Sequence, residues 1–320
     1  MTTERVAAID CGTNSIRLLV ADLDPDTGSL SDLDRRMRIV RLGQGVDTTG
    51  RLAPEALERT FAACRDYRDA IDALGAKRLR FVATSASRDA ENREDFRTGV
   101  REILGVEPEV VTGDEEAALS FTGATRELAG ASPDDPGSAA SGFERPFLVL
   151  DIGGGSTEFV LGGDRVEAAR SVNIGCVRMT ERHLRSDPPT PAEIAAAKAD
   201  IEAAIDLAAE SVPLDRAKTV VGLAGSVATV AGIALDLPEY DPRRIHHSRI
   251  AVDRVREITE SLLTGTHDQR AAIPVMHPGR VDVIGAGALV LLTIMERVGA
   301  REVVVSEHDI LDGIAWSVLG

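Results

Sequence analysis

Two short stretches of this chain repeat one another, and that duplication constrains the fold more than any other feature. Ala7-Ala8-Ile9-Asp10-Cys11-Gly12-Thr13-Asn14-Ser15-Ile16-Arg17-Leu18 is matched by Leu148-Val149-Leu150-Asp151-Ile152-Gly153-Gly154-Gly155-Ser156-Thr157-Glu158-Phe159. In each, an apolar run ends in Asp, a turn of small residues follows, and a second apolar run begins. Asp10 aligns with Asp151, Gly12 with Gly153 and Ser15 with Ser156 at one constant offset. The match is a register, the mark of a duplicated structural unit.

Each copy predicts a β-hairpin closed by a glycine-bearing turn. Glycine tolerates positive φ and lets a backbone approach a ligand closely. Successive turn amides make a concavity for an anion. An Asp at its mouth repels phosphate unless a cation lies between them. Mg²⁺ suits that place, because it takes one or two carboxylates together with phosphate oxygens. Two copies facing each other across a cleft would grip a phosphate chain from both sides. A single copy would read as an ordinary strand–turn–strand unit with a surface Asp.

The length, 320 residues, accommodates two domains with separate cores. The formal net charge of −16 argues against general binding to nucleic acid or an anionic membrane. A polyanionic substrate must then be drawn by local basic groups and a metal ion. Cys11, Cys64 and Cys176 are scattered and odd in number, so no disulfide framework is implied. No apolar run is long enough to cross a bilayer, and the first residues lack the hydrophobic core of a signal peptide. The expectation is a soluble cytoplasmic protein.

Strand and helix patterns alternate, which predicts α/β layers in duplicate. The expected division is a first domain over residues 1–130, a flexible insertion over 131–145 and a second domain over 146–320. In the first half, strands are predicted at 6–10, 16–22, 78–83 and 109–111, with helices at 54–74, 88–104 and from about 113 to 128. In the second half, strands are predicted at 219–221 and 302–305. Helices are predicted at 191–210, 227–235, 252–263, 283–297 and 308–319.

Three further stretches join a strand to a helix. Thr84-Ser85-Ala86-Ser87-Arg88 offers hydroxyls, a helix N-terminus and a guanidinium to an anion, although capping by Ser85 or Ser87 would explain it as well. Gly113-Asp114-Glu115-Glu116 places acids in a first helical turn, where they complement the helix dipole. One of these acids is also suited to orient a water for phosphoryl transfer. Gly222-Leu223-Ala224-Gly225-Ser226 is either a nucleotide-approaching turn or a tight turn capped by Ser226. Histidines offer no metal spacing: His246 and His247 are adjacent and expected to face apart, and His267-Asp268 and His308-Asp309 are isolated pairs. Cys11 reads as a small buried hydrophobe.

Taken in order, Asp10–Ser15, Thr84–Arg88, Gly113–Ala117 and Asp151–Glu158 resemble the motifs of the exopolyphosphatase / guanosine pentaphosphate phosphohydrolase family. Gly222–Ser226 and Ile284-Gly285-Ala286-Gly287-Ala288 fit its second domain. The resemblance spans essentially the whole chain. It implies duplicated actin-like, sugar-kinase-like (ribonuclease H-like) α/β domains around an interdomain cleft. It also implies release of terminal orthophosphate from inorganic polyphosphate, with hydrolysis of pppGpp to ppGpp as the alternative. By the same resemblance Glu116 is the residue that activates water. Asp10, Asp151 and Glu158 are the expected metal ligands, for Mg²⁺ or Mn²⁺, with a monovalent cation such as K⁺ also accommodated. Gly12, Thr13, Asn14, Ser15, Arg17, Thr84, Ser85, Arg88, Gly153, Gly154, Gly155, Ser156, Gly225 and Ser226 are the expected phosphate contacts.

Two features depart from longer relatives. Those carry a further C-terminal helical region that lengthens a polyphosphate channel, so the resemblance here is to the short members and to short chains as substrate. Ser306–Gly313 is acidic where longer relatives often carry Arg, which either weakens polyanion contact or packs the last helix. A homodimer is expected by analogy. A kinase using Gly222–Ser226 for ATP, and a non-catalytic sensor of ppGpp or polyphosphate, are the readings from other classes. The acidic pair favours water as the acceptor, and the retained Asp10, Glu116 and Asp151 argue against a dead enzyme.

Overall fold

The computed structural model describes residues 3–130 and 143–319. Contacts divide the chain into two units. The first takes the described residues up to Gly123 together with those from Ile310 onward, and the second runs from Ala124 to Asp309. This division falls elsewhere than residues 1–130 and 146–320, because the final helix belongs to the first unit. Most of the expected insertion, residues 131–142, lies outside the described residues.

In the first unit β1 (Glu4–Cys11), β2 (Ser15–Asp24) and β3 (Ser29–Ile39) form an antiparallel meander. β4 (Arg78–Ala83) runs parallel to β1, and β5 (Glu109–Val110) runs parallel to β4. The sheet order is β3-β2-β1-β4-β5. Side chains alternate across it. Ala7, Ile9, Leu18 and Val20 pack on one face with the Pro54–Leu74 and Arg93–Leu104 helices. Val6, Ala8, Leu19 and Ala21 pack on the other with the Ile310–Ser317 helix. Burial on both faces explains why β1 and β2 read as nearly continuous apolar runs.

The last helix is held by more than apolar contact. Arg35 Nη2 lies 2.5 Å from Asp312 Oδ1, and Arg80 Nη1 donates to Ser317 Oγ at 2.6 Å. A Cβ on Gly313 would lie 2.0 Å from the Leu119 carbonyl oxygen, so only glycine fits that crossing. Asp312 therefore packs the last helix, the structural side of the alternative left open for this acidic segment.

The second unit repeats the plan. β6 (Phe147–Ile152), β7 (Thr157–Gly162) and β8 (Val166–Val172) form the meander, and β9 (Thr219–Leu223) lies parallel to β6. β10 (Arg249–Ala251) and β11 (Glu302–Val305) complete a six-stranded sheet ordered β10-β11-β9-β6-β7-β8. Read from β8 inward, the order repeats that of the first sheet, with β10 added at the edge. The duplicated α/β architecture is thus present in each unit. The Ile284–Val298 helix is the most buried helix of the second core. No helix among the described residues is long and apolar enough to cross a membrane.

Candidate functional site

Each meander brings its Asp to the end of its first strand, beside a turn that closes on itself. The Gly12 N–H donates to the Ser15 carbonyl at 2.9 Å, and the Gly153 N–H to the Ser156 carbonyl at 3.0 Å. The two turns are then braced in the same manner by the segment after the meander's third strand. In the first unit the Gly43 N–H reaches the Thr13 carbonyl at 2.8 Å, and the Val40 and Arg41 amides reach the Asn14 carbonyl at 3.0 and 2.9 Å. In the second, the Cys176 amide reaches the Gly153 carbonyl at 3.0 Å, and the Val177 and Arg178 amides reach the Gly154 carbonyl at 2.9 and 3.1 Å. A trans peptide sets its N–H opposite its C=O. Carbonyls turned to the brace therefore turn the next amides, Asn14 and Ser15 or Gly154 and Gly155, the other way, as an anion-binding concavity requires.

The repeat differs in charge at one position. Asp10 faces Arg17 across β1–β2, and Asp151 faces Glu158 across β6–β7. Arg17 Nη2 and Nε lie 2.7 and 2.9 Å from Asp10 Oδ2. Arg17 thus stands beside the carboxylate of its own strand pair. In the second copy two carboxylates stand opposite one another, with Asp151 6% and Glu158 1% exposed. Glu158 Oε1 accepts from Ser171 Oγ at 2.7 Å. Like charges directly opposite destabilise a sheet. A divalent cation relieves that repulsion, and two carboxylates with water and phosphate oxygens are what Mg²⁺ accepts. Asp151 and Glu158 fit the metal expected from the sequence. Asp10, the third metal ligand expected from the sequence, stands in this structure beside Arg17. No cluster of three or more His, Cys, Asp or Glu side chains arranged to hold a metal occurs among the described residues.

The acidic pair separates by partner. Thr112 and Glu115 form a reciprocal cap at the start of the Gly113–Gly130 helix. The Thr112 N–H and Oγ1 lie 3.0 and 3.1 Å from Glu115 Oε2, and the Glu115 N–H donates to Thr112 Oγ1 at 3.2 Å. These bonds, that from the Thr112 amide foremost, hold the Glu115 carboxyl below its usual range. Glu116 is buried, and its Oε2 lies 3.1 Å from Arg88 Nη1. Arg88 also donates to the Val111 carbonyl at 3.0 Å.

The Thr84–Arg88 stretch opens the Ser85–Asp89 helix without a side-chain cap. Ser85 Oγ instead meets Thr13 Oγ1 at 2.8 Å, and Ser87 Oγ is buried without a hydrogen-bond partner. Neither serine caps; Ser85 meets the first turn through Thr13, the Thr84 N–H donates to the Cys11 carbonyl at 3.2 Å, and Arg88 meets Glu116. Asn14 Oδ1 is likewise buried with no partner, an acceptor held inside the first turn with its hydrogen-bonding capacity unspent.

Gly225 and Ser226 stand apart from this pattern. A Cβ on Gly225 would fall 1.3 Å from Arg280 Nη1, so the guanidinium lies directly on that glycine. Ser226 bonds the buried Cys176 thiol, and a Cβ on Gly287 would lie 2.3 Å from Ser226 Oγ. Ser226 does not cap its helix. Burial pushes the Cys176 and Cys11 thiols up, which suits inert core positions. Nothing in the spacing singles out Arg178 or Arg280. Only the Pro278-Gly279 turn before Arg280 marks its place.

One expectation fails outright. His246 and His247 do not face apart: their rings stack with centroids 3.7 Å apart, and His308 packs at 4.7 Å from His246. His247 has φ 60, and this left-handed residue turns the chain so that neighbouring side chains share a side.

Two α/β units of one topology, each ending its first strand in a buried Asp beside a braced, amide-rich turn, define a duplicated α/β protein built to present backbone amides. The chain belongs to the Ppx/GppA phosphatase family, whose pattern it matches over residues 19–320, and is an enzyme of that class. It is 49% identical to Exopolyphosphatase 2 of Mycobacterium tuberculosis, with all of both chains covered. It is similar to the crystal structure of an exopolyphosphatase-like protein, with a TM-score of 0.90 and 43% identity over 98% of each chain. A guanosine-5'-triphosphate,3'-diphosphate pyrophosphatase of Aeromonas salmonicida is 26% identical over 98% of this chain and 59% of its own length.

Proposed function

We propose that this protein is an exopolyphosphatase that releases orthophosphate from the end of short inorganic polyphosphate chains. The observation that carries the reaction is the split between the two acids: Glu115 is consumed by its cap, whereas Glu116 is a buried carboxylate on a rigid helix start. Glu116 positions the attacking water and takes its proton. Arg88, beside it, meets an oxygen of the phosphoryl group, so the Arg88–Glu116 pair of the free enzyme exchanges for contacts to phosphate and water. The amides of the Gly12–Ser15 and Gly153–Ser156 turns receive phosphate oxygens. Asp151 and Glu158 would hold Mg²⁺, which would neutralise phosphate charge when bound.

The full-length likeness to an exopolyphosphatase supports polyphosphate over pppGpp as substrate. The test measures orthophosphate release from tripolyphosphate, long polyphosphate, pppGpp and ATP, with and without Mg²⁺. Release from tripolyphosphate with Mg²⁺ is expected. Turnover of pppGpp alone overturns the substrate, and release from ATP only with an added acceptor points to a kinase.

A further inference from the structure

The second turn carries one anchor that the first does not. Arg178 Nε donates to the Gly155 carbonyl at 2.7 Å, while the backbone N–H of the same residue reaches the Gly154 carbonyl at 3.1 Å. One residue thus fixes two consecutive peptides of a triple-glycine turn. By peptide planarity, the carbonyls of Gly153, Gly154 and Gly155 turned toward the Cys176–His183 helix leave the amides of Gly154, Gly155 and Ser156 turned away from it. No turn or loop carbonyl among the described residues takes any of these three N–H groups. The first two peptides are set by backbone amides of the helix. The third, Gly155–Ser156, is set by the Arg178 side chain. A glycine on its N-terminal side leaves that peptide free to rotate once the anchor is gone.

We propose that Arg178 is a positioning residue: it aims the Ser156 amide, third donor of the anion nest, without touching the substrate itself. The proposal rests on the phosphohydrolase reading for its kinetic consequence, though not for its geometry. The nest meets the charge that grows on the transferring phosphoryl group, so loss of one aimed donor falls on kcat rather than on KM. A misplaced group of this kind costs up to about 100-fold in rate.

The test uses the full chain and tripolyphosphate. Arg178→Ala is expected to lower kcat about 10-fold to 100-fold with KM changed less than about threefold. In the ¹H–¹⁵N spectrum of the parent protein, the Ser156 amide is expected to shift on addition of inorganic phosphate, and in Arg178→Ala that shift is expected to vanish. A variant kcat within twofold of the parent, or a Ser156 amide unmoved by phosphate in the parent, overturns the inference. If Arg178→Ala does not fold, Arg178→Lys is read by the same two measurements. If the parent releases no orthophosphate from tripolyphosphate, the functional reading fails and the amide measurement alone judges the brace.

Discussion

Arg88 Nη1 lies 3.1 Å from Glu116 Oε2, and the same nitrogen donates to the Val111 carbonyl just ahead of the helix that carries Glu116. One guanidinium thus spans a strand end and a helix start, and it sits against the buried member of an acidic pair. Glu116→Ala is expected to cost about 10²–10⁴-fold in turnover, the usual worth of a positioned general base. Glu115→Ala is expected to keep turnover within a few-fold and to lower the melting temperature, since Glu115 serves the cap. Thr112→Ala removes the other half of that cap at about 1 kcal/mol. Phosphate-release rates and thermal melts on the three variants check this, and a large rate loss confined to Glu115→Ala sinks it.

The charge difference between Asp10–Arg17 and Asp151–Glu158 leads to opposite responses. Asp151→Asn and Glu158→Gln each remove one of two facing carboxylates. Both are expected to raise the Mg²⁺ concentration needed for half-maximal activity and to shrink the rise in melting temperature that Mg²⁺ produces. Asp10→Ala takes away the carboxylate that accepts two hydrogen bonds from Arg17, and is expected to cost about 2 kcal/mol at any Mg²⁺ concentration. Mg²⁺ titrations of the melt separate the two cases.

Acid should weaken one particular cap. At the start of the Pro191–Ala209 helix the Thr190 N–H donates to Glu193 Oε2 at 2.7 Å, and the amides of Arg185 and Ser186 donate to Oε1. The Thr190 amide above all holds the Glu193 carboxyl down, at about 2. A carboxyl depressed by folding lends stability that is complete above its ordinary range and is lost as the pH falls toward the depressed value. The melting-temperature difference between the parent and Glu193→Ala should be constant from pH 7 to about 5 and shrink below that. A difference that grows on acidification contradicts this.

Much of the fold was legible because its inner strands are buried on both faces. β1, β6 and β11 announce themselves as apolar runs, as does the buried Phe81–Ala83 end of β4, and the Pro54 start of the first long helix is plain. The outer meander strands were not legible. β3 carries Asp32, Asp34, Arg35, Arg36 and Arg38 and is exposed at most positions, and β8 is only partly buried, so neither shows alternation. The helix expected over 88–104 is broken between Asp89 and Arg93. Asn92 spends its side-chain amide on both backbone groups of Leu52, at 2.8 and 3.1 Å, a long-range bond no local pattern encodes. At the site, the duplicated Asp and glycine turns could be read directly. The division between Glu115 and Glu116 was open only in half: Thr112-x-x-Glu115 has the local spacing of a capping box, whereas Arg88 meets Glu116 only after folding. The braces are likewise hidden: Val40, Arg41, Gly43, Cys176 and Val177 act through backbone atoms, which leave no residue-type signature, and the Arg178 side chain meets Gly155 only after folding.

The brace of the second turn also depends on a glycine outside every motif. A Cβ at Gly175 would stand 2.4 Å from both the carbonyl carbon and oxygen of Gly154 and 2.6 Å from the Gly155 nitrogen. Those are backbone atoms of the nest itself, so no side chain can swing aside to make room. Gly175→Ala must therefore push the Gly154–Gly155 peptide out of line or lift the Cys176–His183 helix from its carbonyls. Overpacking of this kind costs about 1–3 kcal/mol. The loss of turnover should exceed what partial unfolding explains, since the displaced atoms are the proposed phosphate donors. Gly163→Ala in the same unit is the control: its Cβ would meet nothing nearer than Arg145 Cδ at 3.8 Å, and it should leave both melt and rate near the parent. Thermal melts together with phosphate release at a temperature where both variants are folded decide the matter. A Gly175→Ala protein with unchanged turnover would show that the Gly153–Ser156 turn is not where phosphate is held.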